Sequence, residues 1–210
     1  MSASGFQDKY IPLLEKLSYI EEIMHLINLN GDTLPIRMML RDPEMEQILC
    51  RHFYYDSGEE LMHGITHSNG FHKHMNQIFV GQRILFHTRK HREIHELPNF
   101  HLMHAVRDRC IVTIDRSQII LDEGSTLIVS PNSPHSYYNL SERSIIVHSA
   151  ITQAFVSGVL VSRLPSNRIL SEFLSQKIEG NASPPYLYTD VHLKEEMAYA
   201  IASAVYYHLY

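Results

Sequence analysis

The chain is short of several things that whole function classes require. Only two cysteines occur in its 210 residues, Cys50 and Cys110, far apart and not in a Cys-x-x-Cys pair. They read as small buried hydrophobes of a reducing compartment. Basic residues are scarce: 18 Lys and Arg stand against 23 Asp and Glu, a formal charge of −5. A nucleic-acid-binding surface needs clustered Lys and Arg, so this balance argues against one. No apolar run is long enough to span a bilayer. The first residues, MSASGFQDKY, lack the cationic start and apolar stretch of a signal peptide. These absences together predict a cytoplasmic protein. Nucleotide and hydrolase signatures are missing too: there is no GxGxxG, no GxxxxGK[ST], and no Ser flanked by glycines in a nucleophile elbow.

Histidine is plentiful, with 15 in the chain. Imidazole titrates near neutrality and ligates metals, so the surplus raises both possibilities. Most of the fifteen are expected on the surface. His63 and His67 have the i, i+4 spacing of a zinc-protease helix, with His72 and His74 close behind. The glutamate that would act as general base between the pair is absent, so proteolysis is not expected.

Periodicity divides the chain into three regions. Residues 1–80 carry helical signals. Leu13, Leu17, Ile20, Met24 and Ile27 recur at helical spacing between Asp8 and Asn30-Gly31, predicting an amphipathic helix over 10–29. Asp42-Pro43 opens a second helix with Met45, Ile48 and Leu49 buried. Ser57 with Glu60 forms a capping box for a third, closed by Asn69-Gly70.

Residues 81–165 are β-rich. The segment FHLMHAVRDRCIVTIDRSQIILDEGSTLIVSPNSPHSYYN, Phe100 to Asn139, reads as short strands joined by tight turns. Several such strands imply a sandwich or barrel. Strand alternation puts His101, Met103 and Ala105 on one face, and Phe100, Leu102 and His104 on the other. His135 and Tyr137 share a face in the same way.

Residues 166–210 return to helical period. Ile169, Leu170, Phe173, Leu174 and Ile178 make an apolar stripe ended by Gly180. After a loop over 181–185, Thr189-Asp190 caps a last helix. Leu193, Met197, Ala200, Ile201 and Ala204 lie on its apolar and small-residue face, which suits a two-fold dimer seam or packing within the chain. That helix is still periodic at Tyr210 without a stop signal, which implies a piece of a longer protein.

LDEGSTLIVSPNSPHSY, together with Phe100-His101-Leu102 upstream, resembles the second half of the cupin signature in the sensor domains of AraC-type transcription regulators. The resemblance covers roughly Ile84 to Tyr210. It implies an α+β fold: a cupin-like β-barrel of jelly-roll type, preceded by helices and followed by a dimerising helical pair. It also implies a small-molecule effector, homodimerisation through the C-terminal helices, and DNA contacts only through a helix-turn-helix domain not present in this chain. The family usually has glycine where Asp108-Arg109 and Asp115-Arg116-Ser117 stand here.

The resemblance turns the His101 face inward, with His95, His101, Met103, His135 and Tyr137 as candidate ligand-binding residues. Imidazole and phenol groups over an apolar base suit a small hydroxylated or aromatic ligand. Side chains filling the barrel are the alternative. Laid on the metal pattern of cupins, Glu93, His95, His101 and His135 take the ligand positions. That inventory suits Fe, Mn, Ni or Zn, although the order differs from the family's and Pro98 interrupts the spacing. Two functional expectations follow: a non-enzymatic effector sensor without a cofactor, or a metal-dependent cupin isomerase or dioxygenase. A pH-responsive module built on the histidine surplus is a third.

Overall fold

A computed structural model describes residues 3–53, 55–67, 84–87, 98–141, 143–160, 168–180, 184–190 and 200. The chain divides into two units, Met1–Gln82 with Tyr199–Tyr210, and Arg83–Ala198.

In the first unit, α1 (Ala3–Asn30) buries Leu14, Leu17, Ile20, Met24 and Ile27, three or four residues apart as one helix face requires, with Leu13 buried beside them. It begins before Asp8, so Pro12 lies within it. The end is as the sequence predicts. Gly31 takes φ +73°, and its N–H donates to the Ile27 carbonyl at 2.7 Å, a left-handed cap that glycine adopts without strain. A short helix not foreseen from the sequence follows, α2 (Leu34–Met39).

The helix α3 (Pro43–Phe53) is capped by Asp42, whose Oδ1 accepts from the Glu44 N–H at 2.9 Å. Ile48, Leu49, Cys50 and Phe53 are buried on it. The capping box of α4 (Gly58–His67) forms with a one-residue offset. Ser57 Oγ accepts from the Glu60 N–H at 3.2 Å, while Glu60 Oε2 accepts from the Asp56 N–H, also at 3.2 Å. Asn69-Gly70 lies outside the described residues.

The second unit holds eight strands among the described residues: β1 (Ile84–His87), β2 (Phe100–Arg107), β3 (Cys110–Ile114), β4 (Ser117–Leu121), β5 (Ser125–Val129), β6 (His135–Asn139), β7 (Ile145–Ile151) and β8 (Tyr186–Asp190). They form two antiparallel sheets, ordered β1-β7-β2-β5-β8 and β4-β3-β6. The expected α+β class is present, with its described strands in two antiparallel sheets. Barrel closure is the correction, because no ladder joins the two sheets among the described strands.

Apolar burial holds the sheets face to face. Met103, Ala105, Leu127, Val129 and Ile146 of the larger sheet share one core cluster with Cys110, Val112, Ile114, Leu121 and Tyr137 of the smaller. The far face of the larger sheet packs a second cluster. There Phe100, Ile128, Ile151 and Leu187 meet Val156 and the Leu170, Phe173, Leu174 and Ile178 stripe of a helix spanning Arg168–Ile178. Ile169, assigned to that stripe from the sequence, is 71% exposed.

Two turns adopt left-handed backbone at positions where the resemblance implied glycine. Asp108 has φ +62°, and Asp115 and Arg116 have φ +53° and +95°. These are left-handed positions, the conformation that glycine takes most readily. With Ile114 paired to Ser117, Asp115-Arg116 is a two-residue hairpin turn with positive φ at both residues, as in type I′.

A second correction concerns Thr189 and Asp190, expected to cap a helix. They end β8, which adds to the free edge of β5 with Tyr186 opposite Val129 and Asp190 opposite Ser125. Tyr-Leu-Tyr-Thr is a good strand sequence, and an open sheet edge supplies its backbone partners. Of the dimer-seam residues, Ala200 is helical and exposed; Leu193, Met197, Ile201 and Ala204 lie outside the described residues.

Candidate ligand site between the sheets

Strand alternation places the site. On β2, His101, Met103 and Ala105 point toward the smaller sheet, and β7 runs beside it with His101 opposite Ala150 and Met103 opposite His148. From the facing sheet, β6 contributes His135 and Tyr137, opposite Ile114 and Val112 of β3. Sequence analysis therefore put four residues, His101, Met103, His135 and Tyr137, on the inward faces that the two sheets enclose. His101 is 4% exposed and His135 is 3% exposed. Their rings meet edge to face with centroids 4.9 Å apart. His95 and Glu93 lie outside the described residues.

One member was missed. His148 on β7 is buried, and its ring lies 4.2 Å from that of Tyr137. The signal was available: alternation through SIIVHSA puts Ile146, His148 and Ala150 on one face.

His135 has a defined proton arrangement. Its Nδ1 lies 2.9 Å from the Ser133 carbonyl oxygen. A carbonyl only accepts, so Nδ1 carries the proton and the neutral ring keeps a lone pair on Nε2. Burial pushes the His135 pKa down, and the Ser133 hydrogen bond opposes part of that shift. The ring is therefore an inward-facing neutral acceptor. Its position comes from the Pro131-Asn132-Ser133-Pro134 turn, where Asn132 takes φ +55°.

Among the described residues no Asp, Glu, Lys or Arg is buried; the buried polar side chains are His, Ser, Thr and Asn. Such a set donates and accepts hydrogen bonds without a formal charge to neutralise. No group of three or more potential metal ligands occurs among the described residues.

Two other buried polar groups belong to the framework. His104, on the opposite face of β2, is 0% exposed, and its Nδ1 pairs with Thr126 Oγ1 at 2.8 Å across the β2–β5 ladder. Burial lowers its pKa to about 4. Burial likewise pushes the Cys110 thiol up to about 12, so it is inert packing, as expected from the sequence. A separate shallow cleft of about 210 Å³ lies on the smaller sheet, lined by Ile111, Thr113, Gln118, Ser136, Tyr137 and Tyr138.

Comparison with known proteins gives fold likeness only at a distance. No family model matches the chain, and no curated protein matches it. Among solved structures, apo ToxT K231A from Vibrio cholerae is similar over 59% of this chain at 14% identity and a TM-score of 0.42. The match spans 48% of the ToxT chain, about half its length. ToxT with an unsaturated fatty acid bound matches 58% of this chain and 51% of its own, at 10% identity and a TM-score of 0.29. An oxalate decarboxylase matches 58% of this chain and 38% of its own, at 14% identity and a TM-score of 0.31. No described helix is long and apolar enough to cross a membrane.

Proposed function

We propose that the β-sandwich is the effector-sensing part of an AraC-type transcription regulator, a binding module and not a catalyst. One observation carries this reading. The strands bearing the sensor-like motif bring His101 and His135 together in the interior, 4.9 Å apart and shielded from water.

The ligand class follows from the chemistry of the lining. Buried imidazoles and the Tyr137 phenol, set over Met103 and Val129, favour a small uncharged molecule with hydroxyl or aromatic groups. A carboxylate would meet no fixed positive charge there among the described residues. Binding regulates by favouring one arrangement of the sensor, which requires different affinities for the two arrangements. The segment carrying Leu193, Met197, Ala200, Ile201 and Ala204 is the dimer element that passes this bias to DNA-binding domains.

The test is a thermal-shift screen of phenols, catechols and short polyols against the wild type, His101→Phe and His135→Phe. Each substitution keeps an aromatic ring and deletes its hydrogen-bonding nitrogens. The reading expects a compound whose binding weakens at least about tenfold in both variants, the loss expected when a buried polar partner is removed. Compounds that bind all three proteins equally well would contradict it.

A second reading has its own support in the His135 proton arrangement. Imidazoles that ligate metals commonly donate their other N–H to a carbonyl, as His135 does to Ser133. In that reading Glu93, His95, His101 and His135 hold a divalent metal in a cupin enzyme, an isomerase or dioxygenase. Elemental analysis of tag-free protein separates the two. Stoichiometric metal that disappears in His135→Gln favours the enzyme.

A further inference from the structure

We propose that His63 and His67 form a transition-metal site on the exposed face of α4, independent of the interior of the sandwich. The i, i+4 spacing stacks the two imidazoles one turn apart. Their centroids are 4.2 Å apart with planes 9° from parallel, and both side chains are exposed.

The neighbouring hydroxyl sets the tautomer. Thr66 Oγ1 donates to the Met62 carbonyl at 2.8 Å. With its proton committed there, the same oxygen accepts from His67 Nδ1, also at 2.8 Å. The His63 carbonyl lies 3.3 Å from that nitrogen and can only accept. His67 Nδ1 therefore holds the proton, leaving Nε2 with its lone pair free to coordinate. Ligating histidines are oriented by second partners of this kind.

The donor set selects the metal. Two imidazoles without thiolate or carboxylate suit Cu²⁺, Ni²⁺ or Zn²⁺, with Cu²⁺ bound most tightly, and give little to Mg²⁺ or Ca²⁺. Nitrogens at about 2.0–2.1 Å from the ion stand about 2.9 Å apart at neighbouring positions of tetragonal Cu²⁺ and about 3.3 Å apart around tetrahedral Zn²⁺. Small rotations of two exposed rings reach either separation from their stacked position, and water fills the remaining positions. No glutamate stands between the two histidines, so the site has no built-in base for hydrolysis. It clamps one turn of α4 and links the helix to metal supply, because an ion that binds only the folded helix stabilises it.

The experiment is calorimetric titration of CuSO₄ and ZnCl₂ into the tag-free full chain, with Cu²⁺ electron paramagnetic resonance. One Cu²⁺ per chain is expected, with a two-nitrogen pattern, and with affinity higher than for Zn²⁺. His63→Gln and His67→Gln should each abolish the two-nitrogen pattern. Thr66→Val should weaken binding about tenfold by releasing the His67 ring, and Thr66→Ser should restore it. Absence of Cu²⁺ binding, or binding that survives both His63→Gln and His67→Gln, would overturn the site. All of these α4 side chains are exposed, so loss of folding does not confuse the outcome.

Discussion

Two imidazoles on opposite faces of β2 do different work. His101 meets His135 in the interior, whereas His104 is sealed against Thr126 on the other face. The His104 pKa is lowered from 6.5 to about 4. Below pH 6.5 the unfolded chain takes up a proton that the folded chain refuses until about pH 4. Stability is therefore full above pH 6.5 and falls across that window, by on the order of 3 kcal/mol from His104. His135, also lowered, acts in the same direction. Urea unfolding midpoints measured from pH 7.5 to pH 4 should drop, and the drop should be shallower in His104→Gln. Equal slopes in the two proteins would show that His104 is not buried neutral. At this scale alternation alone placed His101, Met103, His135 and Tyr137 correctly on shared strand faces. It failed to raise His148 because β7 is buried on both faces from Ile145 to Ala150, so its histidine sits in an apolar run and not in a polar–apolar rhythm.

Among the elements, close approach decides more than propensity. Gly64 lies in the middle of α4, where alanine would ordinarily be the better helix former. A Cβ there would collide with the Tyr55 hydroxyl and ring, far inside contact distance. Gly64→Ala is thus expected to cost about 1–3 kcal/mol despite the gain in helix propensity. Gly158→Ala, where a Cβ meets nothing within 4 Å, should cost nothing measurable. Thermal unfolding of the two variants checks this; similar midpoints for both would remove Tyr55 from its place against α4. The helix ends were legible because caps are local: Asp42, Ser57 with Glu60, and Gly31 act within a few residues of their own position. β8 was not legible. Five residues of mixed character take the state that a neighbour offers, and the neighbour here is β5, far away in sequence. Strand pairing is a non-local bargain that propensity does not foresee.

For the molecule as a whole, the sequence told the class of architecture but not its closure. Periodicity shows which residues face inward, yet whether the two sheets join depends on ladders between distant strands. The same consideration reshapes the test of the dimer. Deleting residues 168–210 would strip the helix that covers Phe100 and remove β8 from the larger sheet, exposing apolar surface of its own. A point substitution is cleaner: Met197→Glu should turn a dimer into a monomer by light scattering while the circular dichroism spectrum is kept. An unchanged mass would take the dimer role away from that segment. The central claim is that residues 101 and 135 form a dry, paired imidazole site inside the sandwich. Two-bond ¹H–¹⁵N spectra of the histidine rings across a pH titration test it most directly. The account predicts a His135 ring protonated on Nδ1, neutral at pH values where an ordinary imidazole is already half charged, with cross-relaxation to the His101 ring. A His135 ring that averages both tautomers, titrates at the ordinary value and shows no contact with His101 would contradict it.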